Sequence, residues 1–343
     1  MGFSANRDID GWLQQEVAEP VLEPELPIID PHHHLWDLRT FASEPHASFE
    51  QKVYLCEELM GDIDTGGHNV VQTVFAQCGA FYRADGPESL RCVGETEFVH
   101  GIAAMSRSGI YGDARLCTGI FGTADLRLGA AVEPVLRAHM AASEYFRGVR
   151  TLFPSDLNDE FLAGYRVLGE LGLVFDNYSP DAARLPNLAR LAAAVPAVPV
   201  VVNHLGGRAD PDATPAEFAE WRANVEAIAA APNAVMKCGG AQQRVGADWE
   251  PPFHMHRRQA PIGSEELVER VFPFYEVAIN AFGPERCMFE SNFPVDKECV
   301  SYRTLWNAFK LIAARLGLSA AEKHAIFAGT AARVYGLDAV PET

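Results

Sequence analysis

No two of the seven cysteines stand as C-x-x-C; they fall singly at 56, 78, 92, 117, 238, 287 and 299. A zinc ribbon and a thioredoxin-type redox site both need that pair, so neither is predicted. An odd, scattered set reads as free thiols in a reducing compartment, and a cytoplasmic location is expected. Positive charge is scarce too: 28 Lys and Arg face 46 Asp and Glu, a formal net charge of -18. Nucleic acid and anionic membrane surfaces repel such a polyanion, so neither is expected as a partner. The opening MGFSANRDIDGWLQQ has no apolar centre, so a secretory signal is not expected, and Asn6 stands where myristoylation wants Ser or Thr. Long apolar runs are missing. LAAAVPAVPVVV at 191–202 is too short and too broken by proline to cross a bilayer.

What is present is a rhythm. Apolar runs stand at 27–30, 69–78, 116–123, 146–152, 172–178, 198–204, 233–240 and 287–293. Continuous apolar runs are what strands buried on both faces of a parallel sheet require. Helical patterns lie between them, among them RLGAAVEPVLRAHMAASE and TPAEFAEWRANVEAIAAA. Thr214-Pro215-Ala216-Glu217 and Ser319-Ala320-Ala321-Glu322 are capping-box openings. Strand and helix alternating in this way predict an α/β fold, a single (β/α)8 TIM barrel over 27–338. The rival doubly wound sheet would want a glycine-rich loop after its first strand, and DPHHHLWD has none. Residues 1–26, rich in Glu and Pro, read as an N-terminal tail or strap. The stretches after the first and seventh strands are long, and in a barrel both start on the face where active sites form.

Three consecutive histidines end the first run, in IIDPHHHLWD. Side chains alternate along a strand, so Asp30, His32 and His34 are expected on one side and His33 on the other. Such a pair brings two imidazoles onto one metal ion or one water. His204 ends the sixth run in VVVNHLGG and could meet the pair across the barrel mouth. The eighth run, RCMFESNFPVDKE, places Asn292 at the strand tip and Asp296 four residues on. An amide cannot take a proton at neutral pH, so the base is Asp296, a histidine or a metal-activated water. Arg150, ending FRGVRTL, could hold a carboxylate or polarise a carbonyl. Glu95 and Glu97 are placed at the start of a helix, where acids favour the dipole. Cys238 has no activating neighbour in sequence and is read as packing.

DPHHHLWD, RGVR, VVNHLGG, RCMFESNFPVD and FAGTAARVYGL, in this order, resemble the amidohydrolase-related (amidohydrolase 2) barrel hydrolases. Within them the chain is similar to the branch of pyrone-dicarboxylate, sulfomuconolactone and sugar lactonases. The resemblance implies a barrel whose metal ligands are His32, His34 and His204. It places Asn292, in Ser291-Asn292-Phe293-Pro294, where the family has an aspartate. The catalytic set is then His204, Asp296, Asn292 and Arg150. Trp36, Lys237 and the loop residues His254, His256, Arg257 and Arg258 form the substrate-binding set. The expected cofactor is a divalent metal, zinc before others, against a metal-free site with one neutral imidazole as base. The expected activity is opening a lactone, or a related cyclic ester or amide, of a small anionic compound. The alternatives are a metal-dependent decarboxylase or hydratase of an aromatic acid, and an inactive barrel that binds a ligand. A homo-oligomer is compatible with all three.

Overall fold

The computed structural model describes residues 9–39, 51–154, 157–179, 181–207, 210–240 and 260–341. Eight parallel strands form one sheet in sequential order. They are β1 (Ile28–His33), β2 (Val70–Ala76), β3 (Arg115–Gly122), β4 (Phe146–Leu152), β5 (Val174–Tyr178), β6 (Val200–Val202), β7 (Ala234–Cys238) and β8 (Cys287–Phe289). The ring closes just beyond β8: Asn292 N donates to His32 O at 2.9 Å, and His34 N to Phe293 O at 2.7 Å. The helices used below are α1 (Ile9–Leu13), α2 (Cys56–Gly66), α3 (Val93–Arg107), α4 (Glu133–Ala142), α5 (Asp159–Glu170), α6 (Leu185–Ala194), α7 (Pro215–Ala229), α8 (Ser264–Phe282), α9 (Tyr302–Arg315), α10 (Ala320–His324) and α11 (Thr330–Tyr335). Both anticipated capping boxes are formed, at the starts of α7 and α10.

Period-two alternation gives the barrel two cores. Ile29, Val74, Phe121, Val174, Val201, Val235 and Met288 point inward and form one cluster. The other faces of the strands pack against the helices in a larger cluster. The inner cluster continues into Ala331, Ala332 and Tyr335, so α11 floors the barrel where its strands begin. Gly148 of β4 leaves room for the ring of Phe121: a Cβ there would lie 2.0 Å from Val174 O and 2.9 Å from that ring.

Residues 9–26 run along α9. Asn307 Nδ2 donates to Pro20 O at 2.9 Å, and Lys310 Nζ to Leu22 O at 2.7 Å and Glu23 O at 2.9 Å. After β1 the chain forms an antiparallel ribbon of Trp36–Asp37 with Val53–Tyr54, then α2. The loop after β7 at 241–259 is outside the described residues, and with it His254, His256, Arg257 and Arg258. Among the described residues, no helix is long and apolar enough to cross a membrane.

Candidate active site

At the end of β1 the alternation breaks. Asp30 pairs with Thr73 and His33 with Phe75, so β1 takes three steps while β2 takes two. The extra residue turns Asp30 away from the two histidines it was expected to join. Its Oδ2 accepts from the Tyr302 hydroxyl of α9 at 3.0 Å, and its Oδ1 from Ser291 N at 3.0 Å. Burial pushes that carboxyl up to about 6. His33 faces the helices as expected, with Nε2 2.8 Å from Thr73 Oγ1, and burial lowers its pKa to about 3.

His32 and His34 do share the mouth. Their Nε2 atoms are 3.3 Å apart. His34 Nδ1 is 2.8 Å from Ala76 O, a carbonyl that can only accept, so that nitrogen carries the proton. His32 Nδ1 lies 2.9 Å from Glu290 Oε2 and 3.2 Å from Lys237 Nζ. Both imidazoles are held well below the ordinary histidine pKa, first by burial, then by Lys237 beside His32 and Arg150 beside His34. Both are therefore neutral at pH 7. His204 comes from the turn after β6, with its ring centroid 4.8 Å from that of His32. Its φ is +52°, and Leu205 and Asn292 are also left-handed, at +57° and +54°. Non-glycine residues adopt this region at a cost, and they cluster where a side chain must be aimed.

The residue that sequence reasoning missed is Glu290. Its Oε1 accepts from His204 Nδ1 at 2.7 Å while Oε2 lies against His32, so one buried carboxylate spans both imidazoles. The signal was present, since Glu290 directly follows the apolar β8. Attention went two residues on, to Asn292. That side chain instead donates through Nδ2 to Asp296 Oδ1 at 2.9 Å. Asp296, one of the three candidates for the base, is buried against Asn292, and the carboxylate beside the histidines is Glu290.

Beneath the histidines sits an ion pair. Lys237 Nζ is 2.7 Å from Asp176 Oδ2, and both side chains are fully buried. The ammonium also lies 5.6 Å from the ring centroids of Phe121 and Tyr335. Lys237 thus touches Asp176 and His32 rather than the open mouth where a substrate contact was expected. Asp176 Oδ1 accepts from Asn203 Nδ2 at 2.6 Å. Arg150 Nε donates to Asn203 Oδ1, and Nη1 to Gln77 O, each at 2.9 Å. Its Nη2 has no partner among the described residues. Tyr178, partly exposed, covers the guanidinium at 4.7 Å from its ring centroid. Trp36 stacks on His34 at 5.9 Å and is buried, with Nε1 donating to Gln51 O at 2.8 Å.

These donors fit a metal ion. One ligand atom each from His32, His204 and Glu290 lies within 4.8 Å of the others. His34 is outside that group, but its Nε2 stands 3.3 Å from that of His32. Two nitrogens about 2.0–2.1 Å from a tetrahedral zinc are about 3.3–3.4 Å apart, so the pair has ligand spacing. His34 carries its proton on Nδ1, so its Nε2 presents a lone pair toward His32 at a spacing that suits a shared cation.

The chain matches the amidohydrolase family model over residues 29–337. It is 32% identical to uncharacterized protein y4mH of Sinorhizobium fredii over 336 residues, covering 91% of this chain and 99% of that one. It is 31% identical to L-fucono-1,5-lactonase of Burkholderia multivorans over 207 residues, 60% of each chain. Among solved structures, an amidohydrolase from Burkholderia multivorans with bound zinc superposes with a TM-score of 0.69 at 25% identity, over 91% of this chain and 99% of that one. With eight parallel strands, a histidine-rich mouth and a match along nearly its whole length, the chain belongs to the amidohydrolase family.

Proposed function

We propose that this protein opens a lactone, or a related cyclic ester or amide, of a small carboxylated compound. The observation that carries this is Glu290 bridging His32 and His204. A carboxylate that accepts from Nδ1 leaves Nε2 as the basic atom and stabilises the imidazolium once it forms. His204 is the more exposed of the two, at 14% of its side chain, and takes the proton of the attacking water at Nε2. Arg150 offers Nη2 to the substrate carboxylate or to the developing oxyanion. When the ring C–O bond breaks, the proton on His204 goes to the leaving oxygen, and the product is one open-chain hydroxy acid. We assign zinc to His32 and His34, whose Nε2 atoms have the spacing of two ligands of one ion, with Glu290 on the Nδ1 side of His32 orienting that ring. When bound, zinc supplies Lewis acidity toward water and carbonyl.

A pH-indicator assay over sugar 1,5-lactones, sugar 1,4-lactones and dicarboxylated pyrones tests the reading, with metal content measured on protein purified without chelators. Acid release from at least one anionic lactone is expected. Carbon dioxide released from hydroxybenzoates, with no lactone opened, would put a decarboxylase in its place. Melting shifts with ligand but no product would make it a binding protein.

A further inference from the structure

The proposed chemistry leaves one buried acid on α3 unused. Glu95 is fully buried, and its Oε1 accepts three successive backbone N–H groups: Cys78 at 3.0 Å, Gly79 at 2.8 Å and Ala80 at 2.9 Å. Its Oε2 has no hydrogen-bond partner among the described residues. Gly79 is left-handed at φ +83°, which lets the three amides converge on one oxygen. The two residues just before them turn their carbonyls the other way. Ala76 O accepts from His34 Nδ1 at 2.8 Å, and Gln77 O accepts from Arg150 Nη1 at 2.9 Å. Segment 76–80 is therefore a plate between two sets of hydrogen bonds, with the mouth on one side and Glu95 on the other. Without Glu95, three inward N–H groups would have no acceptor, and the plate would turn to find one.

We infer that Glu95 is a positioning residue: through segment 76–80 it sets the aim of His34 toward the metal and of Arg150 toward the anionic end of the substrate. This rests on the roles given above to His34 and Arg150. A purely structural carboxyl would change stability alone. A positioning one must also change zinc affinity and KM, because each carbonyl grips a side chain with its own task.

The test uses the full chain and zinc itself. In Glu95→Met, which fills the space but accepts nothing, zinc affinity by chelator competition should fall about 10-fold, the lower end for groups that orient a metal ligand. Amide exchange at 78–80 should accelerate, and KM for an anionic lactone should rise more than kcat falls. Glu95→Gln keeps a carbonyl oxygen in place and should restore zinc affinity to within about threefold of wild type. Should Glu95→Met fail to fold, Glu95→Asp withdraws the carboxyl by one methylene, and the same losses are expected. A folded Met or Asp variant with wild-type zinc affinity and wild-type exchange at 78–80 overturns the inference. Neither readout needs turnover, so a protein that opens no lactone would sink the functional reading and leave this one to be judged by zinc alone.

Discussion

Replacing Lys237 with Met should expose how the ionic floor of the site is held. The ammonium sits 2.7 Å from Asp176 Oδ2, with neither side chain reaching solvent. Removing it leaves Asp176 as a buried carboxylate with the Asn203 amide at 2.6 Å and, more distant, Arg150 Nε at 3.9 Å. Breaking one side of such a pair costs about 3–5 kcal/mol, since the orphaned charge has lost its partner but not its burial. Met matches much of the lysine stem between Phe121 and Tyr335, so little of the loss is cavity. Asp176→Asn should cost a similar amount by leaving the ammonium unpaired. The double variant Lys237→Met/Asp176→Asn removes both charges of this pair, leaving only Arg150, whose Nε lay 3.9 Å from Asp176 Oδ1, without that carboxylate, and should recover much of the loss, a coupling of about 2–3 kcal/mol. Urea unfolding of the four proteins at pH 7 measures this. Simple additivity, or a loss below about 1 kcal/mol in Lys237→Met, would refute the view that the two charges hold each other in the dry interior.

Glu290→Gln should lower turnover by about 10²-fold or more while leaving the melting temperature close to wild type, because the amide still fills the space but no longer steadies two imidazoles; equal rates would remove Glu290 from the chemistry. Burial raises Glu95 to about 7 from its usual 4.5. The neutral form is then the one the fold prefers, so its contribution is fully present below 4.5 and is lost as pH rises through about 7. That amounts to about 3 kcal/mol across the range, and Glu95→Gln should flatten this part of the stability profile measured by urea midpoints from pH 4 to 8. Gly148→Ala places a Cβ 2.0 Å from Val174 O. It should destabilise by about 3 kcal/mol or more, and a melting temperature within a few degrees of wild type would contradict the close approach.

Much of this was legible in the chain. The eight apolar runs coincide with the eight strands to within a few residues, because strands buried on both faces leave little room for polar residues. His32, His34 and His204 could be found because they end such runs. The rest depended on register. Asp30 was assigned to the mouth by strict alternation, and a single extra residue in β1 sends it to α9. Sequence carries no mark of that slip, since one strand's register is set by its neighbour. Glu290 was passed over for the same kind of reason, because the strand-tip position was placed two residues too late. Glu95 was read as a helix-start acid favouring the dipole. What it accepts is decided by a loop 15–17 residues earlier, which only the packed structure brings beneath it.

The floor of the barrel has a consequence for how the protein is made. The histidines of β1 leave the ribosome early, yet the groups that close around them arrive late. Asp30 meets Ser291 across 261 residues and Tyr302 across 272. Tyr335, which lies beneath Lys237, comes later still. Contacts so distant along the chain form slowly, because a long loop must be closed before they repay its entropy. Until α9 and α11 dock, the imidazoles of β1 lack the dry interior that surrounds them in the folded barrel. The site described above, with its dry floor, is complete only once α9 and α11 have docked against the strands.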